Sequence, residues 1–209
     1  MIKQYQDVVI KPNRGKSGYH ILHVSLIDED EELYEIHHES AKKLIKGKNR
    51  IYSFVKKFCR NQTFIVQQRI PLASIYGCPF DIRVMVQRLT RSSKWCITGK
   101  LARIAEKDFF VTNVSQKPAL IKDIIPRSSA KNCPLKKLSL KLQKVVLAAA
   151  ISFESVYPDC RIIGFDVGLQ ENGDIRIIEA NFSPMLSLFK YLDDKSMYKT
   201  IIRYKYGKV

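Results

Sequence analysis

Residues 161–181 read RIIGFDVGLQENGDIRIIEAN, which is two apolar stretches on either side of a short polar turn. Asn-Gly between apolar stretches is the strongest short-range signal for a β-hairpin with a two-residue type I′ turn. The sequence therefore predicts two paired strands with Asn172 and Gly173 as the turn. Counting back along both strands from that turn places Asp166 directly opposite Glu179.

This register makes one face of the hairpin acidic and leaves the other mostly apolar. Two carboxylates directly opposite each other destabilise a strand pair unless a partner compensates them. Mg²⁺ is such a partner, because it prefers oxygen ligands, and Asn181 offers an amide oxygen two residues beyond Glu179. Gly164, opposite Asn181, is expected to leave space for a ligand. The alternative is that Asp166 and Glu179 point into solvent and pair with lysines and arginines.

Composition sets wide limits on the function. The chain has 209 residues, of which 45% are hydrophobic, so it can bury a core as one domain or as two small lobes. The formal net charge of +16 predicts anionic partners. Phosphorylated ligands, nucleic acid and acidic membrane surfaces fit this charge equally well.

The cysteines and the apolar runs indicate a compartment. The five cysteines are scattered and form no CxxC pair, which favours reduced thiols in a cytosolic protein. The N-terminus has no apolar signal core, and the longest strongly apolar run, residues 145–151, is too short to span a bilayer. We therefore expect a soluble, cytoplasmic protein without a membrane span.

The periodicity of apolar residues predicts an α+β chain of two lobes, a small lid-like lobe at 1–75 and a larger lobe at 76–209. The small lobe is expected to have the order β-β-β-α-β, with its helix at 39–59 and Gly47 weakening that helix in the middle. The other predicted elements are strands at 7–11, 19–27, 33–37, 64–67, 80–91, 95–106, 161–170 and 174–181, a helix at 135–157 and a short basic C-terminal helix.

A lysine and a glycine-containing loop follow the first predicted strand. Lys11 ends that strand immediately before NRGKSG at residues 13–18, where glycines let backbone N–H groups approach an anion. No GxxxxGK[ST] motif occurs, so the loop is not a Walker A motif. The alternatives are an ordinary turn and a solvated lysine.

Six segments in a fixed order carry a family resemblance that covers nearly the whole chain. They are VVIKPNRGKSG from residue 8, FIVQQRIPL from 64, FDIRVMV from 80, GKLARIA from 99, IGFDVGL from 163 and IIEANFSPM from 177. This order resembles the ATP-grasp superfamily, and most closely the YheC/YheD group associated with bacterial spore coats. The resemblance implies an ATP-grasp fold of two lobes with the nucleotide bound between them.

The resemblance also implies a set of nucleotide-binding residues. Lys11 would contact the phosphates, residues 15–18 would form a flap over them, and Gln68 and Ile70 would hydrogen-bond adenine through their backbones. The full implied set is Lys11, Gly15, Lys16, Ser17, Gly18, Gln67, Gln68, Arg69, Ile70 and Leu72. Asp166, Glu179 and Asn181 would hold Mg²⁺, or Mn²⁺ in its place.

Three further residues match the family's catalytic positions. Arg83 and Arg103 resemble its phosphate and substrate arginines, and Asn113 in VTNVS resembles its substrate-loop asparagine. From the residues alone, Arg83 shares a strand face with Asp81, so a plain salt bridge between these two is the alternative. Whether Arg103 joins that face depends on the length of a turn that the sequence leaves open.

Two departures from the family limit what can be carried over. Related ligases have a second ATP-binding lysine and a further domain upstream, whereas this chain starts a few residues before Lys11, which predicts a fragment or a shortened relative. Many relatives also have a Gly-Gly pair where this chain reads Gln116-Lys117-Pro118. The acceptor site is therefore expected to differ.

Three functions remain. In the leading hypothesis ATP phosphorylates an unknown carboxylate substrate and an amine or other nucleophile attacks the acyl phosphate, as in an ATP-grasp ligase. The second is a non-catalytic nucleotide-binding or structural protein of the spore coat, with coat proteins as partners. The third and least favoured is nucleic-acid binding through cations of the first predicted helix. Those cations are Lys42, Lys43, Lys46, Lys48, Arg50, Lys56 and Lys57.

Overall fold

The chain folds into two compact units in a computed structural model that describes residues 1–13, 20–60, 62–112 and 117–207. The first unit comprises Met1–Ile70 and Lys107–Val114. The second comprises Pro71–Glu106 and Ser115–Val209. The chain therefore leaves the first unit after Ile70 and returns to it for a short segment that follows a strand of the second unit.

The first unit is an antiparallel five-stranded sheet with one helix packed on it. Its strand order is β4-β3-β2-β1-β5. The elements are α1 (Ile2–Tyr5), β1 (Asp7–Pro12), β2 (Leu22–Asp28), β3 (Leu33–His38), β4 (Ala41–Lys46), α2 (Lys48–Phe58) and β5 (Phe64–Gln68).

Alternation along the strands separates an apolar face from a polar face. Val8 and Ile10 of β1 are buried in one cluster with Ile36 of β3 and Ile51 of α2. Asp7 and Val9, which alternate with them along β1, point to the opposite side because successive strand residues alternate in direction. The helix covers the apolar face and leaves the polar face for other contacts.

The predicted helix at 39–59 is wrong in its first half. Residues 41–46 form β4, which pairs with β3 from His38 opposite Ala41 to Leu33 opposite Lys46. A positive φ of 98° at Gly47 ends this strand and lets the helix begin at Lys48. The order is thus β-β-β-β-α-β, and the helical spacing of apolar residues was misleading over so short a segment.

The same correction divides the predicted basic helix. Lys42, Lys43 and Lys46 lie on an edge strand, and only the cations from Lys48 onward lie on α2. Lysines on an edge strand are a common device against edge-to-edge pairing of sheets. The continuous basic helix on which the nucleic-acid hypothesis depended is therefore absent from residues 39–47.

The second unit contains the other five-stranded sheet. Its order is β10-β9-β7-β6, and β8 also pairs with β7. The elements are β6 (Ser74–Ile75), β7 (Cys78–Gln87), β8 (Cys96–Ile104), α3 (Ile121–Ile124), a 3₁₀ helix at Ile125–Arg127, α4 (Leu135–Phe153), β9 (Ile162–Leu169), β10 (Ile175–Asn181), a 3₁₀ helix at Ser187–Lys190 and α5 (Ser196–Tyr206).

The long helix α4 covers one face of this sheet. Its fully buried residues are spaced four apart and form one cluster with inward-facing strand residues such as Phe80 and Phe165. These helix residues are Leu138, Leu142, Val146 and Ala150. Within the described ranges, no helix combines the length and the apolarity needed to cross a membrane.

The turn of the β9–β10 hairpin differs from the predicted one. Gly173 donates its N–H to the carbonyl of Gln170 (2.9 Å) and has a φ of 81°, which makes a three-residue loop with a left-handed glycine. The register is consequently shifted by one residue, so that Ile177 rather than Ile178 faces Val167.

A β-bulge between Ile177 and Glu179 then reverses this shift. Beyond the bulge, Asp166 faces Glu179 and Gly164 faces Asn181, as the sequence predicted. The two irregularities compensate each other, because the longer loop takes one extra residue, Glu171, from the β9 side and the bulge adds one, Ile178, on the β10 side. The pairs Asp166–Glu179 and Gly164–Asn181 were thus predicted correctly, although the predicted turn was wrong.

Gly164 leaves no space for a ligand, contrary to expectation. A Cβ built at this position would lie 2.5 Å from the Cβ of Pro184, which follows β10. The glycine instead allows the segment after Asn181 to pack directly on β9.

Gly164→Ala should therefore destabilise the second unit by about 1–3 kcal/mol through overpacking. Chemical denaturation followed by tryptophan fluorescence measures this loss, since Trp95 is buried in this unit. Adding Pro184→Gly removes the clashing atom and should recover part of the loss. Equal losses in the wild-type and Pro184→Gly backgrounds would contradict the packing explanation.

Candidate functional site

Charged side chains occupy the centre of the face of the second sheet that α4 does not cover. Arg83 on β7 faces Asp166 on β9, and Asp81 on β7 faces Arg103 on β8. Each of these four side chains belongs to a residue that is at most 6% exposed. The four charges sum to zero, which is the condition under which they can be buried together.

The two arginines meet at Asp166. Nε of Arg83 donates to Oδ1 of Asp166 at 2.5 Å, and its Nη2 donates to Oδ2 at 3.2 Å. Nη2 of Arg103 lies 2.8 Å from the same Oδ2. Arg103 also forms a two-point pair with Asp81, in which Nε lies 2.8 Å from Oδ1. The arrangement is a continuous charge-assisted network across three strands.

Arg103 is the most strongly held of these groups. Burial by itself lowers the pKa of a guanidinium, but the adjacent carboxylates of Asp81 and Asp166 outweigh it and raise the pKa of Arg103 above its ordinary value. Arg103 is therefore charged, as guanidiniums in proteins generally are.

The salt bridge between Asp81 and Arg83, which the sequence left as an alternative, is not the pairing that forms. The cation across from Asp81 is Arg103, and Arg83 is paired with Asp166. Arg103 does join the polar face. The sequence did not indicate that Asp81 pairs with Arg103. This pairing follows from the register of β7 against β8, which depends on the length of the turn between them.

Glu179 differs from its facing partner in exposure. It is solvent-exposed on the edge strand β10, and Asn181 on the same strand is half-buried. Among the described side chains, none forms an ion pair with Glu179. Its carboxylate is therefore available to a ligand, whereas that of Asp166 is largely engaged.

The oxygens of Asp166, Glu179 and Asn181 differ in how available they are to a divalent cation. A carboxylate has about four lone-pair positions, and Asp166 uses three of them for the two arginines, which leaves about one, on Oδ1. Glu179 retains both oxygens, and Asn181 adds an amide oxygen. Mg²⁺ typically takes one or two carboxylates, so these are the residues that could hold it, with Glu179 as the principal ligand.

In the first unit, two of the implied adenine-binding residues, Gln67 and Gln68, lie on the edge strand β5, and Arg69 and Ile70 follow it. Arg69 donates its backbone N–H to the carbonyl of Asp7 (3.1 Å), so this residue directs its backbone toward β1. In an antiparallel pair the direction alternates, and Gln68 consequently directs its N–H and C=O away from β1. Ile70 is the next residue of the same parity. This open edge is where a ligand would find backbone groups.

The remaining implied residues are distributed over both units. Lys11 is half-buried on β1 opposite Ile65, and Gln67 faces Val9. Leu72 is half-buried in the second unit. The other implied positions, Gly15, Lys16, Ser17, Gly18 and Asn113, lie outside the described residues.

The chain is similar to known proteins in sequence and in fold. The family described as YheC/D like ATP-grasp matches residues 1–207. The endospore coat-associated protein YheD of Bacillus subtilis (strain 168) is 28% identical over 198 residues, which are 90% of this chain and 41% of that protein. The ADP complex of N5-carboxyaminoimidazole ribonucleotide synthetase has a TM-score of 0.54 at 13% identity and covers 97% of this chain and 42% of its own. The chain thus spans about two fifths of the length of both.

The buried network yields a stability prediction. Asp81→Asn removes one of the two carboxylates at Arg103 and should lower the free energy of unfolding by about 3 kcal/mol, since it leaves a buried charge incompletely paired. Denaturant titration measures this change. The control is Asp174→Asn, which breaks an exposed pair with Lys141 and should cost no more than about 1 kcal/mol. Equal losses in the two variants would contradict the network.

Proposed function

Since this chain belongs to the YheC/D-like ATP-grasp family, we propose that it binds ATP with Mg²⁺ and uses the nucleotide to activate a carboxylate substrate. The resemblance found in the sequence and the predicted α+β ATP-grasp fold are both confirmed by the family match and the structural similarity.

The first unit supplies the proposed adenine contact. Adenine presents a hydrogen-bond donor and an acceptor on one edge, which match the outward N–H and C=O groups of a strand edge. The alternation along β5 supports this role for the backbone of Gln68, and Ile70 lies two residues further along the chain. A backbone contact of this kind tolerates many side chains, so the side chains of FIVQQ need not be polar.

The second unit supplies the proposed metal and phosphate contacts. Glu179 and Asn181 would hold Mg²⁺, with the remaining lone pair of Asp166 as the third ligand. Bound Mg²⁺ would neutralise charge on the phosphates during transfer. The observation that carries the proposal is the position of Glu179, an exposed acid free of described ion pairs beside a buried network that holds two arginines.

The arginines retain donors for phosphate oxygens. A guanidinium has five N–H donors, and among the described contacts Arg83 uses two of them and Arg103 three. The remaining donors can bind an anion without breaking the pairs with Asp81 and Asp166. Because these pairs fix both side chains, the arginines need little reorganisation when charge develops on the transferred group.

The proposed reaction needs no nucleophilic side chain. An oxygen of the substrate carboxylate attacks the γ-phosphorus of ATP, the bond to the β–γ bridging oxygen breaks, and ADP leaves. An amine or another nucleophile then attacks the acyl carbon of the acyl phosphate, loses its proton and expels inorganic phosphate. The chain contributes by positioning and by compensating charge.

A second candidate is nucleotide binding without turnover in the spore coat. It is favoured by the name of YheD, which is described as endospore coat-associated. Release of phosphate from ATP over a panel of carboxylates and amines distinguishes the two candidates. Mg-ATP binding without any substrate-dependent phosphate release would favour the coat-associated, non-catalytic function.

Glu179→Gln should weaken Mg-ATP binding about tenfold or more while leaving the fold intact, because it removes a negative metal ligand from an exposed position. Isothermal titration calorimetry of ATP at fixed Mg²⁺ measures the change. Glu171→Gln removes an exposed acid from the turn of the same hairpin and should leave the affinity unchanged. Unchanged binding in Glu179→Gln would refute the metal assignment.

A further inference from the structure

The polar face of the first sheet carries a cluster that the proposed reaction does not use. Asp7 on β1 lies beside His23 and Ser25 on β2, and His37 follows on β3. His23 and His37 are 5% and 7% exposed, so the cluster is buried against something other than α2, which covers the opposite face. What covers it is the chain's own returning segment.

Asp7 accepts hydrogen bonds from three side chains. Nε2 of His23 contacts its Oδ1, the hydroxyl of Ser25 donates to the same oxygen at 3.3 Å, and Nη1 of Arg69 donates to Oδ2 at 3.1 Å. Burial alone would raise the pKa of Asp7, but the bonds from His23 and the charge of Arg69 outweigh it and lower the pKa. Asp7 is therefore charged, and in this state it binds the side chain of Arg69, the residue that directly follows β5.

The histidines hold the segment that returns from the second unit. Nε2 of His37 donates to the backbone carbonyl of Asp108 at 3.0 Å. The ring of Phe110 lies 4.8 Å from the ring of His37 and 5.4 Å from that of His23, in tilted contacts. Such ring contacts add to area burial and fix orientation.

The cluster is unsuited to nucleophilic catalysis. Ser25 and Asp7 both contact Nε2 of His23, whereas a catalytic triad engages the two ring nitrogens separately. Nδ1 of His23 is buried and has no partner among the described atoms. A network of this kind fixes geometry more than it adds stability, because apolar residues could fill the same volume without desolvating a charge.

We propose that Asp7, His23 and His37 are positioning residues that anchor both segments by which the chain crosses between the units. One is the strand end at Arg69, which precedes Ile70, and the other is the segment at 107–112, which leads to Asn113. This inference rests on the proposed function in one respect: the anchored segments are those proposed to bind the adenine base and the substrate.

The test uses Asp7→Asn in the full chain, with Glu31→Gln as the matched control. Glu31 is an exposed acid between β2 and β3 of the same unit, and it pairs with Lys46 on β4 rather than with the cluster. Hydrogen exchange without nucleotide should become about tenfold faster at Arg69, whose N–H donates to the carbonyl of Asp7, and at 107–112, since a charge-assisted hydrogen bond contributes on that scale. Strands β2 to β4 and the second unit should be unchanged.

The second readout separates positioning from loss of stability. In Asp7→Asn the affinity for Mg-ATP should fall about tenfold, whereas the affinity for Mg-tripolyphosphate, which has no base, should stay at the wild-type value. Equal losses for both ligands, faster exchange throughout the first unit, or a response of only one segment would each overturn the shared anchor. If the wild type binds no ATP, the proposed function fails and the exchange measurement alone decides the anchor.

Discussion

The carboxylate of Asp166 joins two buried guanidiniums, and much of the second unit depends on this contact. Arg83 and Arg103 approach it from different strands, and Asp81 supplies the fourth charge that makes the set neutral. Burying four charges is costly unless each is paired and hydrogen-bonded. The register among β7, β8 and β9 is therefore constrained on this face by electrostatics and on the other by packing against α4.

The network also explains why the edge of the sheet is chemically different from its centre. Asp166 is largely saturated by its arginines, while Glu179 on the adjoining edge strand is exposed. The facing carboxylates thus have separate roles in the proposed site. The inner one orients two cations, and the outer one remains available to a metal ion brought by a nucleotide.

The first unit also has an aspartate that binds more than one cationic or histidine side chain. Asp7 accepts from His23 and Arg69, as Asp166 accepts from two arginines, and in each unit one carboxylate connects neighbouring strands on the polar face. In the first unit the connection extends through Phe110 to a segment that is distant in sequence. The polar faces of both sheets are therefore organised by single, multiply bonded aspartates.

The sequence predicted secondary structure correctly where the apolar pattern of a single element was long enough. It predicted the strands of the β7–β8 and β9–β10 hairpins and the long helix α4, because alternation and helical spacing extend over enough residues to be recognised. It failed at residues 39–46, where a six-residue strand carries too few apolar positions to be distinguished from the start of a helix. It also assigned the wrong turn at Asn172, although the bulge at Ile178 restored the facing pairs.

The sequence by itself thus determined the fold family, the order of the longer elements other than β4, and the placement of Asp166 opposite Glu179. Only the tertiary structure decided how the charges are shared, because Arg83, Arg103 and Asp81 come together through pairings between strands that are far apart in sequence. It likewise decided that Pro184 fills the space at Gly164 and that the segment at Phe110 belongs to the first unit. Contacts of this kind depend on register and packing, which no local pattern encodes.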